Sequence, residues 1–225
     1  MEIDVELKKK RQEASAHSMG MSLDVIYDEV VNVLRRKKAD QGLLLDFGAG
    51  RGQFLEMIKS QFEFELHGID LMHTQLEGIQ WFVHDLNQRF PLGENNYDVV
   101  TAIEVIEHLE NPRHMLRDLF KVLKPGGRLV VTTPNNESWR SLLSYVVRGH
   151  FVAFTESSYP AHITALNRMD LIRILKESGF EDIEFSYTNE GMLPKVSKLT
   201  WQSCSMGLLK GLRYSDNLIV SAIKP

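Results

Sequence analysis

Apolar positions along this chain alternate between two rhythms. Short apolar runs at Leu43-Leu44-Leu45, Trp81-Phe82-Val83, Tyr97 to Ile103 and Arg128 to Thr133 have the length and β-branched content of buried strands, and His67-Gly68-Ile69-Asp70 reads as the end of another. Between them the period changes to 3.6. Phe54, Leu55 and Ile58 mark one helix, Leu116 to Leu123 mark a second, and a helix starting near Leu23 precedes the first strand. Lys124-Pro125-Gly126-Gly127 reads as a stop and turn. Strand and helix alternate through residue 135, which predicts a parallel sheet with helices on both faces and right-handed crossovers. Beyond it, Arg168 to Ser178 forms an amphipathic helix with Leu171, Ile174 and Leu175 as its stripe and Gly179 as its stop. Ile183 to Tyr187 and Leu218 to Ile223 read as two further strands.

The first strand runs straight into Asp46-Phe47-Gly48-Ala49-Gly50-Arg51-Gly52, and a helix follows at once. Glycines at a strand–helix turn permit positive φ and close approach of a ligand to the backbone, with helix N–H groups facing it. A dinucleotide loop needs its third glycine three positions after the second, where this chain has Gln53. Asp46 would also repel a pyrophosphate. A carboxylate there suits a positively charged, phosphate-free ligand. The loop resembles motif I of the class I S-adenosylmethionine-dependent methyltransferases.

Later segments repeat the resemblance in order. Asp70 stands about 20 residues past the loop, the offset of a carboxylate that accepts ribose hydroxyls. His84-Asp85-Leu86 resembles the family's adenine-contacting turn, although Asp85 also reads as a turn-forming residue. Leu123 to Asn135 spells a string common in this group. The resemblance covers residues 43–135 and implies a Rossmann-like α/β fold: a seven-stranded, mostly parallel sheet with an antiparallel edge and lid insertions. It implies S-adenosyl-L-methionine as cofactor, held by Asp46, Gly48, Ala49, Gly50, Gly52, Asp70, Leu71, Asp85, Leu86, Ile103 and Glu104.

Composition restricts the partners. Net charge is −4, which argues against a grip on long nucleic acid despite the basic runs Lys8-Lys9-Lys10-Arg11 and Arg35-Arg36-Lys37-Lys38. The second run suits a helix C-terminus. A single cysteine, Cys204, rules out a disulfide framework and reads as a small buried residue. Without a secretory signal or a long apolar span, a cytoplasmic location is expected. We expect an N-terminal arm over residues 1–22 and one methyltransferase domain over 23–225.

Methyl transfer needs a base or a metal beside the methyl group. Glu104, Glu107 and His108 are spaced i, i+3 and i+4, so a helical turn would project all three to one side. With His162 they resemble the Glu-x-x-Glu-His plus distant His site of two metal-assisted groups, the isoprenoid-quinone O-methyltransferases and the small-RNA 3′-terminal 2′-O-methyltransferases. That resemblance implies Mg²⁺ or another divalent cation on Glu104, Glu107, His108 and His162. Without a metal, His108 is the expected general base and His162 the second choice.

Two long connections, residues 136–166 and 188–214, exceed what the sheet needs and are expected to roof the crevice. The alternatives are an extension of the core or a contact with a second copy. Their aromatic and apolar content suits a small-molecule or glycan acceptor, methylated at oxygen. Competing readings are the RNA 2′-O-methyltransferase, a non-catalytic cofactor-binding partner subunit, and a nicotinamide oxidoreductase, the last disfavoured by Asp46 and Gln53.

Overall fold

The computed structural model describes residues 20–89, 91, 93–194 and 199–225. The basic run at residues 8–11 and most of the expected arm lie outside the described residues. In chain order the elements are α1 (Asp24–Arg36), β1 (Gln41–Phe47), α2 (Gln53–Lys59), β2 (Glu63–Asp70), β3 (Ile79–Val83) and β4 (Tyr97–Ala102). Then come α3 (Pro112–Val122), β5 (Leu123–Pro134), α4 (Trp139–Arg148), α5 (Arg168–Glu177), β6 (Glu181–Tyr187), α6 (Trp201–Cys204) and β7 (Asn217–Ile223).

The seven strands form one sheet in the order β3-β2-β1-β4-β5-β7-β6. Strands β1 to β5 pair in parallel, and β7 runs antiparallel between β5 and β6. Because side chains alternate across a strand, each central strand feeds two cores. Leu44, Val99, Val130 and Ile219 pack on one face with Val30 and Leu34 of α1 and Phe54, Leu55 and Ile58 of α2. Leu45, Val100, Leu129, Val131 and Val220 pack on the other with Leu116 and Leu119 of α3 and Leu171, Ile174 and Leu175 of α5. The helix ends are set locally. Pro112 opens α3 while the side chain of Asn111 accepts the His114 N–H at 3.0 Å, and Asn167 and Asp170 form a reciprocal capping box on α5.

Two sequence expectations change. The expected stop and turn at residues 124–127 is the irregular start of β5: Gly126 (φ 78°) donates to the Lys224 carbonyl, and Lys224 donates back to Gly127. Backbone pairing with the chain end therefore extends the strand. Cys204 is exposed rather than buried, because α6 is a four-residue helix in a surface segment. Among the described residues, no helix is long and apolar enough to cross a membrane.

Strand order reverses between β1 and β4, whose neighbours on either side lead away in opposite directions. In open α/β sheets this switch point leaves a crevice at the carboxyl ends of the strands. Residues from both strand ends line it here.

Candidate active site

A cavity of about 640 Å³ opens at that point, walled by the loop after β1, the ends of β2 and β4, the start of α1, and residues 159–163. Asp46 is the penultimate residue of β1 and only 2 % exposed, its Oδ1 accepting the Thr101 hydroxyl of β4 at 2.7 Å. Burial raises its pKa to about 7, helped by the charge of Asp70 and opposed by the Thr101 hydrogen bond. A buried carboxylate beside an open cavity calls for a cation.

The loop that follows has no room for side chains. A Cβ on Gly48 (φ 81°) would fall 2.3 Å from Val105, and one on Gly50 (φ 55°) would fall 2.3 Å from the Gly20 carbonyl. Asp70 fastens this loop by accepting the Gly50 N–H on Oδ2 and the Met72 N–H on Oδ1, both at 3.0 Å. Gly52 sits at the N-cap of α2 with φ 78° and does not line the cavity. Ala49, Leu71, Leu86 and Ile103 do line it. Asp85 is also on the wall, with Oδ1 accepting the Asn87 N–H at 3.0 Å in a local turn.

Residues 20–27 supply a wall that the sequence did not announce. The Gly20 carbonyl accepts the Arg51 N–H at 3.1 Å, and the Tyr27 hydroxyl accepts the Ser22 N–H at 2.9 Å. The described end of the expected arm thus lies on the glycine loop. Of the two expected lids, residues 159–163 reach the cavity, whereas no described residue of 188–214 lines it. That second segment packs instead against the turn between β5 and α4: the Asn135 amide donates to the carbonyl of Leu212 and to that of Ser215 just beyond the segment, and Arg213 donates to the carbonyl of Glu137.

After β4 the chain does not continue as a helix. Glu104 has φ 53°, and only Ile106–His108 form a single 3₁₀ turn, so the i, i+3, i+4 projection is not realised. Glu104 turns to other partners: its Oε1 accepts the Thr132 hydroxyl at 2.8 Å and its Oε2 accepts the Asn217 amide at 2.9 Å. Burial, then the charge of Glu107, holds its pKa well above the usual carboxylate value. Threonines at the strand ends (Thr101, Thr132, Thr133) and Asn217 were missed from the sequence. The signal for the threonines was a polar residue at the carboxyl end of an otherwise apolar strand, and for Asn217 a polar residue at the start of one.

Glu107, His108 and His162 do come together, with one ligand atom from each all within 4.8 Å of one another. Glu107 is 0 % exposed; one oxygen accepts the Thr133 hydroxyl at 3.2 Å, and Oε1 has no hydrogen-bond partner among the described residues. Burial pushes its pKa to about 8 against its own backbone N–H and Thr133. Nδ1 of His108 donates to the Ala161 carbonyl at 2.8 Å, and Nδ1 of His162 donates to the Ala153 carbonyl at 2.7 Å. Each carbonyl fixes its ring and makes Nε2 the atom offered to a ligand. The rings meet edge to face at 4.8 Å. Burial lowers the His108 pKa, opposed by the carbonyls of Ala161 and Glu104. A buried carboxylate with one oxygen unpartnered among the described residues, clustered with two anchored imidazoles, fits a divalent cation.

A family model described as a methyltransferase domain matches residues 22–184. The chain belongs to this family, and its fold is that of a class I S-adenosylmethionine-dependent methyltransferase. The sequence is similar to an uncharacterised protein of Methanocaldococcus jannaschii, 22% identical over 176 residues that cover 78% of this chain and 82% of that protein. It is also similar to a ubiquinone biosynthesis O-methyltransferase of Idiomarina loihiensis, 30% identical over 88 residues covering 39% of this chain and 36% of the enzyme. The match to that enzyme thus spans about a third of its length. Among solved structures, a SAM-dependent methyltransferase of Archaeoglobus fulgidus shares the fold with a TM-score of 0.61 and 22% identity, covering 88% of this chain and 94% of that one.

Proposed function

We propose that this chain transfers the methyl group of S-adenosylmethionine to an oxygen of a small-molecule or glycan acceptor, with a divalent cation such as Mg²⁺ on Glu107, His108 and His162. The observation that carries this reading is the cluster of Glu107, whose Oε1 has no hydrogen-bond partner among the described residues, with two carbonyl-anchored imidazoles. The relatives that include a ubiquinone biosynthesis O-methyltransferase support oxygen as the acceptor atom.

The sulfonium compound supplies both the methyl group and its leaving group, so the chain's task is alignment, exclusion of water and handling of one proton. Asp46 faces the cationic end. Asp70 keeps a second lone pair on each oxygen for ribose hydroxyls while holding the loop, and Asp85 and Leu86 flank the base. The Thr132–Glu104–Asn217 bonds stiffen the segment between cofactor and acceptor. Leu109, Tyr159 and Ile163 provide the apolar wall against which an acceptor body is shielded from water. A divalent cation would lower the pKa of the attacking hydroxyl. Should no cation bind, the depressed pKa of His108 keeps Nε2 unprotonated at neutral pH and able to take the acceptor's proton.

Calorimetry with Mg²⁺ and with Mn²⁺ tests the metal directly. Saturable heat in the wild type and none in Glu107→Gln is the expected result, with S-adenosylmethionine binding retained in both. Absence of heat from any divalent cation in the wild type overturns the metal and leaves His108 as base. Product mass spectrometry over a panel of phenolic, sugar and amine acceptors then locates the methyl, and exclusive N-methylation overturns the oxygen assignment.

A further inference from the structure

Helix α4 is built inside out. Its boundaries are ordinary: the Ser138 side chain accepts the Ser141 N–H, and Gly149 ends it with φ 80°. Its faces are not. The side turned to the protein carries Ser141 and Ser144, its two buried residues. Trp139, Leu143, Val146 and Val147, at i, i+4, i+7 and i+8, form one stripe that faces water, with Val146 81 % and Val147 67 % exposed. On an ordinary surface helix the apolar stripe faces the core. The neighbouring surface segment adds Met206 and Leu208, 91 % and 81 % exposed, and is tied to α4 where Arg213 lies over the Trp139 ring at 5.3 Å.

Charge identifies the occupant. No acidic residue occurs in residues 138–155 or 199–215, although the whole chain carries net charge −4. Arg148 lies on α4 itself and Lys210 follows Leu208 in the adjoining segment, while Arg140 is paired with Asp216 at 2.8 Å and Arg213 is held by the Glu137 carbonyl at 2.7 Å. An apolar stripe carrying Arg148 and Lys210 on its own segments, with the flanking acids Glu137 and Asp216 already paired with Arg168 and Arg140, matches the interface of an anionic bilayer, where apolar side chains enter the headgroup boundary and Lys and Arg meet lipid phosphates. Helix α4 is linked toward the cavity by ring contacts: its Tyr145 stacks on Phe151 at 4.9 Å, and Phe154 meets the ring of His162 at 5.6 Å.

We propose that α4 and the adjoining Met206–Leu208 segment dock this protein on the surface of an anionic membrane, on the side from which residues 159–163 give access to the cavity. The contact is peripheral. It stands apart from the metal and from the acceptor atom.

Co-sedimentation with vesicles tests it. The full chain is expected to pellet with phosphatidylglycerol-containing vesicles and to remain in solution with pure phosphatidylcholine. The double substitution V146D/V147D is expected to reduce partitioning at least about tenfold, and R148E/K210E to reduce it while making the remainder insensitive to salt. Both variants should keep wild-type circular dichroism and S-adenosylmethionine affinity, because none of the four residues lines the cavity. Failure of the wild type to bind anionic vesicles overturns the proposal, as does equal binding by the wild type and V146D/V147D. A dimer in sedimentation velocity that V146D/V147D dissociates, without vesicle binding, assigns the stripe to a second copy and overturns it equally.

Discussion

Replacing Asp46 by Asn isolates the charge on which the cofactor site rests. The carboxyl pKa rises from 3.8 to about 7 in the folded chain, chiefly through burial, so between those values the native state holds a proton that the unfolded state has lost. A group of this kind favours folding at low pH, and that contribution is lost as pH rises through the folded pKa. At about 1.4 kcal/mol for each pH unit of that window, the difference approaches about 4 kcal/mol by pH 8. Asn has nearly the same shape, can still accept the Thr101 hydroxyl and cannot ionise. Without cofactor, Asp46→Asn is therefore expected to match the wild type near pH 4 and to exceed it at pH 8, on the order of 10 °C in Tm for a domain of this size. S-adenosylmethionine should reverse the order. Its positive charge relieves the buried carboxylate, so it should stabilise the wild type more at pH 8 than at pH 5, while the variant binds it about 10- to 100-fold more weakly. Differential scanning fluorimetry across pH, with and without cofactor, reads both effects. Parallel stability curves for the two proteins, or a variant less stable than wild type at pH 8 without cofactor, would refute the reasoning.

Other substitutions address the remaining groups. Asp70→Ala removes the acceptor of the Gly50 and Met72 N–H groups, and calorimetry should show S-adenosylmethionine affinity lower by about 10- to 100-fold; unchanged affinity would remove Asp70 from the cofactor site. His108→Ala should leave that affinity nearly intact while lowering kcat by roughly 10²- to 10⁴-fold once an acceptor is known, and normal turnover would shift the role elsewhere. Leu119→Ala, at a site 0 % exposed between α3 and the sheet, should cost about 2–5 kcal/mol in urea unfolding with cofactor contacts untouched, a loss below 1 kcal/mol contradicting the packing described.

Elements carried by period and punctuation were legible in the sequence. The runs at Leu43–Leu45, Tyr97–Ile103 and Arg128–Thr133 became β1, β4 and β5, and the glycine loop sits between β1 and α2 where its spacing put it. The antiparallel edge came with the family resemblance, since period alone does not orient β6 and β7. Local backbone departures stayed hidden. No signal announces φ 53° at Glu104, where the chain leaves the helical path and the carboxylate bonds Thr132 and Asn217. The Glu107–His162 meeting rests on a long-range backbone link, the Ile163 and Thr164 N–H groups donating to the Glu107 carbonyl, which spacing along the chain does not reveal. Long segments were equally opaque. Residues 136–166 and 188–214 look alike in composition, yet among the described residues only the first reaches the cavity.

The central claim is that acidic groups at the ends of β1 and β2 receive a cationic nucleoside without phosphate. Isothermal titration of the full chain with S-adenosylmethionine, S-adenosylhomocysteine and NAD in turn tests it most directly. Micromolar binding of the two sulfur compounds and no heat with NAD is the predicted result; heat with NAD alone would contradict it.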